Sequence, residues 1–433
     1  MGGAKLVTML LLLTWLVPVP IYVACADVSP GDVIGKTNWE KAQGLVPDEV
    51  LNWVKKGEFV LEIVELNYKP RDYLPPFAKR AMETNAGKYT LDESGWIIEV
   101  QTGQRPKHIL GLPFPTIDPN DPRAGEKIVY NNTYVQYTAG DVRSTFHTPF
   151  IARSGYQRTQ EAKFLNSGMD GNPKSAARPN PDGIVKYQIA LVASPFDMAG
   201  TAVMTWRYAD PNKEDNTFGY IPAIRRVRRM SPGNRSDALF GSDFAIDDAA
   251  CYDGKVAAME WKLLRKQDAL VPFSAKDPTL IVQNERGEWD TTPNVHALIY
   301  GYEKEGWKGA PWAPVNWVWV KLPVYVIEMK AKDHYYNYGT QYLWVDAEAY
   351  IPGYKTINDR SGRYWKTILQ AHACYGSADK KMALTYAGDM IAIDERSDHA
   401  TVIKTVTPTN IWTYFANIDE NDFSLAGFQK FCK

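Results

Sequence analysis

The spacing of hydrophobic positions changes near Ile184. Before it, the patterned segments are mostly helical. "VPDEVLNWVKKG" puts Val46, Val50, Leu51 and Val54 on one face of a short helix. Pro47 sits in its first turn, Asp48 and Glu49 at its positive end, Lys55 and Lys56 at its negative end, and Gly57 stops it. "PPFAKRAMETNAG" predicts a second helix ending at Gly87, and "WIIEV" after Gly95 a short strand. Residues 111–122 form a proline-punctuated loop that leads into a third helix, and residues 166–182 read as a long Gly/Pro/Asn-rich loop.

From Ile184 onward, short runs rich in Val, Ile, Tyr and Trp alternate apolar with polar positions. They include "IVKYQIALV", "AVMTWRYA", "NWVWVKLPVYVIEMK", "TQYLWVDAEAYI" and "KMALTYAGDMIAID". Alternation of this kind marks half-buried strands, and no helical pattern separates one run from the next, which argues against a parallel βαβ arrangement. The predicted fold is mainly β with α (α+β): one large curved antiparallel sheet, an incomplete β-barrel, wrapped around helices. The predicted organisation is an export signal over residues 1–26, a helical and loop region over 27–165 that packs on the sheet, and the sheet domain over 166–433. No internal repeat is visible.

The first segment has Lys5, the apolar run Leu6–Val17, then Pro18, Pro20 and the small residues "ACA". This predicts a secretory signal cleaved before Asp27; the run is too short to span a bilayer core of ~30 Å. A lipidated Cys25 is the alternative, against which Tyr22 stands where a lipoprotein signal wants Leu. The chain has 433 residues and a net charge of -1, so it lacks the basic field of a nucleic-acid binder. Cys251, Cys374 and Cys432 form no CxxC motif and allow at most one disulfide.

Against that neutral background stands "AIRRVRRMS", bracketed by Pro222 and Pro232. Read as a strand, it places Arg226 and Arg228 on one face with Ile224, and Arg225 and Arg229 on the other with Val227. Buried guanidinium groups need acidic partners or an anionic ligand. Asp243, Asp247, Asp248 and Asp253 follow closely and could pair with these arginines; alternatively one or two arginines face a cavity mouth and meet an anionic head group. The chain also has 14 Trp and 25 Tyr, crowded on the strands. Large rings on a curved sheet can line an apolar pocket, or simply fill a core. The candidate ligand-binding residues are Trp206, Tyr208, Tyr220, Arg226, Arg228, Trp317, Trp319, Tyr342 and Trp344. No GxSxG, HExxH, P-loop or GxGxxG is present, and no two of the six histidines pair at metal-ligand spacing. No catalytic residue, metal or cofactor is assigned.

Four stretches carry a family resemblance: "MTWRYADPNKEDNTFGYIPAIRRVRRMS" with "FGSDFAIDD", "GLPFPTIDPNDPRAGEKIVYNN", "QYLWVDAEAYIPGYKTINDRSGRYWK" and "IAIDERSDHAT". Together they resemble a bacterial family of unknown function labelled outer membrane lipoprotein-sorting protein, similar in fold to the carriers LolA and LolB. The resemblance implies a curved sheet around helices with an apolar cavity between. It also implies a lipid-like cargo in the periplasm, and an RND-type exporter and an outer-membrane protein as partners. This chain is more than twice as long as a LolA-type carrier. The reading is a periplasmic binding or transfer protein for a hydrophobic ligand, with outer-membrane association as a further expectation, and not an enzyme. An exported hydrolase of glycans or lipids, or a structural subunit of an envelope complex, are the alternatives.

Overall fold

The computed structural model describes residues 28–292, 298–404 and 411–433. The predicted export signal, with Cys25, lies outside the described residues. Short strands β1 (Val33–Ile34) and β2 (Leu61–Val64) flank helix α1 (Asp48–Lys56), which ends where Gly57 takes φ 77°. Helix α2 (Pro76–Asn85) precedes the ribbon β3 (Tyr89–Leu91) and β4 (Ile97–Glu99), and α3 (Ala124–Thr138) follows. These are the three helices and the short strand that spacing and punctuation predict.

Next comes a meander of β5 (Val142–Ala152), β6 (Gly155–Gly168), the single turn α4 (Pro173–Ala176), β7 (Ile184–Ser194), β8 (Ala202–Tyr208), β9 (Asn216–Ile221) and β10 (Arg226–Arg229). After an irregular segment the chain returns as β11 (Met259–Phe273), β12 (Thr279–Gln283) and β13 (Trp289–Thr291). A second meander contains β14 (Val318–Ala331), β15 (Tyr338–Asp346), β16 (Pro352–Asp359), β17 (Tyr364–Ser377), β18 (Ala383–Asp394) and β19 (His399–Ile403). The short β20 (Thr413–Tyr414) and helix α5 (Leu425–Phe431) close the chain.

The two meanders join where β5 pairs with β19. The main sheet therefore runs β10–β9–β8–β7–β6–β5–β19–β18–β17–β16–β15–β14–β11, antiparallel at every step. It is curved and not closed into a barrel. Parallel pairings occur where β2 meets β14 and where β11 and β12 meet β17, so the sheet is mixed rather than purely antiparallel. Those strands arrive from distant segments rather than through hairpins, which frees their direction.

The sheet also begins earlier than residue 166. That boundary falls inside β6, and β1, β2, β5 and β6 all belong to the large sheet. The pattern of β5 and β6 hides this, because their inner faces carry polar residues such as Thr148 and Gln160 instead of an apolar alternation.

Helices cover both faces. On the inner face, α2 and α3 bring Ala78, Ile128 and Val135 against Ile327, Leu343 and Ile368. On the outer face, α1 packs Trp53 with Trp317, Trp319 and Ile391. Helix α5 covers the outer face of β7–β9, with Phe428 against Ile189, Met204 and Tyr220. Cys251, Cys374 and Cys432 lie in three different clusters and remain free thiols.

One carboxylate is buried without a strong cation. Asp346, at the end of β15, is 0% exposed and accepts the backbone N–H groups of Glu348 (2.8 Å) and Ala349 (3.1 Å). Burial pushes its carboxyl up to about 7, and these two bonds offset only part of that. Nearby His372, with Nδ1 at 3.9 Å, is held down to about 3 by its own burial and stays neutral. Between the unfolded carboxyl value of about 4 and about 7, the folded state keeps a proton that the unfolded state has lost. Stability contributed at low pH is therefore lost as pH rises, by roughly 2 kcal/mol between pH 5 and pH 7. Urea unfolding of Asp346→Asn at those two pH values should show that component gone.

Candidate functional site: an apolar cavity

The inner faces of β5–β8 and strand β18 line a cavity of about 140 Å³. Phe146, Phe164, Tyr386, Met390 and Trp412 supply most of its apolar wall. The side chains of Gln136, at the end of α3, and Gln188, on β7, also line it, and neither has a hydrogen-bond partner among the described residues. An apolar chamber with a few polar handles is the usual form of a small-molecule site.

A tongue formed by residues 235–253 lines another side. At its tip Ala238 bridges to Ala245, and the Leu239 N–H donates to the Phe244 carbonyl at 2.7 Å. Phe240 holds φ 52°, a left-handed conformation unfavourable for a bulky residue, and Gln160 Nε2 donates to its carbonyl at 3.2 Å. Leu239, Phe240 and Ile246 line the cavity on one side and, on the other, an outer cleft that reaches β9 and β10. The tongue tip thus lies between the chamber and that cleft.

The base of the tongue is fixed by buried charge. Asp253 accepts from Lys186 Nζ and from Arg207 Nη1 at 2.9 Å, while its backbone carbonyl accepts from Arg207 (2.7 Å) and Arg235 (3.0 Å). Arg207 also donates to Asp215 (2.8 Å), and Arg235 to Asp247 (2.6 Å). Asp248 accepts from Lys355 (2.7 Å), a pair with no solvent exposure, and from Tyr338 (2.8 Å). Burial pushes the Asp253 carboxyl up, but Lys186 and Arg207 outweigh it and hold the group at about 2. Lys186 shares that carboxylate with Arg207, and burial brings it down to about 8.

The acids of "GSDFAIDDAACYDG" therefore do pair, but not with the run at 225–229. Their partners are Lys186, Arg207, Arg235, Lys355 and, for Asp243, His399 at 2.6 Å. Arg225, Arg226, Arg228 and Arg229 are all exposed on edge strand β10 or its turn, and none has an ion pair among the described residues. Lys186 and Arg207 face inward on β7 and β8 and are the buried charges beside the site that sequence reasoning missed. Their signal was a basic residue inside an otherwise apolar alternation, in "IVKYQIALV" and "AVMTWRYA".

The predicted aromatic residues are not gathered in one place. Trp317 and Trp319 share a face, as their spacing implies, with rings 6.4 Å apart, but each is 1% exposed in the core under α1, and a charge there would attack the fold. Trp344 lies in that same outer-face cluster, edge-on to Tyr354; Tyr342 is half-buried one residue pair away on β15. Trp206 is under the C-terminal segment, its indole donating to the Phe423 carbonyl at 2.9 Å. Tyr208 receives a hydrogen bond from Asn216 (2.8 Å) and borders a smaller cleft with Tyr130 and Lys255. Of the nine candidates, Tyr220 and Arg228 line the outer cleft, and Arg226 lies beside it on β10.

His399 stands at the outer rim of the inner face. Its Nδ1 meets Asp243 and its Nε2 meets Gln157 at 3.2 Å, so both ring nitrogens are engaged. Among the described residues no cluster of His, Cys, Asp and Glu could hold a metal ion, and no helix is long and apolar enough to cross a membrane.

Comparison with curated proteins found no match. Among solved structures, the chain is similar to a domain described as an outer membrane lipoprotein-sorting protein from Vibrio parahaemolyticus, at 17% identity and TM-score 0.48, covering 71% of this chain and 100% of that one. It is similar to a DUF1329 family protein from Desulfovibrio piger at 17% identity and TM-score 0.46, covering 70% and 98%. A LolA superfamily protein from Nitrosomonas europaea follows at 12% identity and TM-score 0.38, covering 67% and 96%. Residues 33–429 match the family model for the protein of unknown function DUF1329, and the chain belongs to that family.

Proposed function

We propose that this protein is a periplasmic carrier that holds the apolar part of a lipid-like ligand in the chamber between β5–β8, β18 and the tongue. The observation that carries this reading is the chamber itself: largely apolar, walled by the sheet, and flanked by the tongue tip, which also borders an outer cleft. Apolar cavities of about 150 Å³ stay dry and accept a benzene-sized guest. The chamber therefore takes one ring or a short acyl segment as it stands, and more if Phe240 swings aside to join it to the outer cleft. Each buried Å² of ligand hydrocarbon stabilises the complex by roughly 25 cal/mol. The unpaired amides of Gln136 and Gln188 can hold an ester or hydroxyl group. The RND-type exporter and outer-membrane protein implied as partners by the family resemblance fit a carrier of this kind.

The reading is tested by mass spectrometry of the protein purified from the periplasm without detergent, before and after solvent extraction. A near-stoichiometric lipid or hydrocarbon is the expected result. An empty protein that also fails to take up an added fluorescent fatty acid would overturn the reading.

A further inference from the structure

The arginine run and the most exposed aromatic ring among the described residues meet at one end of the half-barrel. The register Ala202↔Tyr220 sets the β7–β8 loop beside the β9–β10 turn. A Cβ on Gly200 would lie 3.1 Å from Pro222, so the two loops are in contact. From the first loop Phe196 projects with 97% of its surface exposed; from the second, Ile221 and Ile224 are 51% and 42% exposed. Arg225 takes φ 49° at the turn, and β10 then places Arg226 and Arg228 on one face and Arg229 on the other. The four arginines are exposed in and just beyond the turn that carries these apolar tips, without ion pairs among the described residues. The chain as a whole is nearly neutral, so this charge is local.

We infer that this tip docks on an anionic phospholipid surface, with Phe196, Ile221 and Ile224 entering the interface and Arg225, Arg226, Arg228 and Arg229 meeting the head groups. Cations flanking apolar side chains are the pattern of peripheral membrane contact, and each basic residue near such a surface is attracted within a Debye length. The same turns line the outer cleft, so docking sets the cleft and its tongue tip against the bilayer. A charged edge strand also discourages edge-to-edge pairing, but that role asks for no exposed phenylalanine on the neighbouring loop and does not depend on the sign of the charge. The inference stands apart from what the cavity holds.

The test is flotation of the purified protein with phosphatidylcholine vesicles, with and without added phosphatidylglycerol, at low and high salt. Binding is expected only with phosphatidylglycerol and should weaken as salt rises. Arg226→Glu with Arg228→Glu keeps the edge strand charged but reverses its sign, and should weaken binding by about tenfold or more. Phe196→Asp should do the same through lost insertion. Lys381→Glu, in the turn between β17 and β18, should leave binding unchanged. All these positions are exposed, and unaltered thermal unfolding confirms that the variants fold. Equal binding to both vesicle types, no binding to either, or full binding by the double arginine variant would each overturn the inference.

Discussion

Asp253→Ala is expected to destabilise the folded chain by about 3–5 kcal/mol, the usual result of breaking a buried ion pair by removing one partner. Three cations, Lys186, Arg207 and Arg235, converge on the base of the tongue against three carboxylates, Asp215, Asp247 and Asp253. Lys186 and Asp253 are each about one-twentieth exposed or less. Deleting Asp253 leaves Lys186 in a low-dielectric site with no counter-charge, and water cannot replace it. Chemical denaturation should show the loss directly. Adding Lys186→Met removes the stranded cation, so the double variant should recover about 1–3 kcal/mol. Hydrogen exchange should also quicken at the tongue tip in the single variant, because the Asp253 carboxylate anchors the base of that segment. A single variant within about 1 kcal/mol of the parent would show that the network is solvated rather than buried.

The parts of this fold legible in the sequence are those where local pattern and tertiary environment agree. α1 was fixed by its apolar face and by Gly57, and the second meander by alternation between turns. What alternation cannot give is which face of a curved sheet becomes the inner one. Trp317, Trp319, Trp344, Trp206 and Tyr220 keep the face-sharing that their spacing implies, yet all belong to the outer face, under α1 or α5. The chamber is lined instead by Phe146, Phe164, Tyr386 and Trp412, residues from segments more than 200 positions apart. Their juxtaposition depends on the β5–β19 pairing that joins the two meanders, and no local signal records that pairing.

The arginine run teaches the same lesson about charge. Sequence proximity suggested that Arg225–Arg229 would meet the acids at 243–253. The acids were claimed instead by buried cations, Lys186, Arg207 and Lys355 on β7, β8 and β16 and Arg235 on the tongue, and Asp243 by His399. The run at 225–229 sits on the sheet's last strand, where water satisfies it.

Ala190→Phe should abolish ligand retention while leaving the protein folded. Ala190 lies on the inner face of β7 and lines the chamber, opposite the tongue. A phenyl ring attached there occupies about the space that a benzene-sized guest would take in a cavity of this volume. Filling an existing void commonly stabilises a protein by about 0.5–2 kcal/mol, whereas forcing a ring into a packed core costs about 1–3 kcal/mol. The sign of the stability change therefore reports whether the chamber is truly open. With the chamber filled, co-purified lipid measured by extraction and mass spectrometry should fall by at least about tenfold, equivalent to roughly 1.4 kcal/mol of lost binding. Ala190→Ser, which adds no bulk, should retain its cargo. Full retention in a stable Ala190→Phe variant would place the ligand elsewhere, in the outer cleft lined by Tyr220 and Arg228. Vesicle docking would then be the first place to look for its route, since that cleft opens between the same two turns.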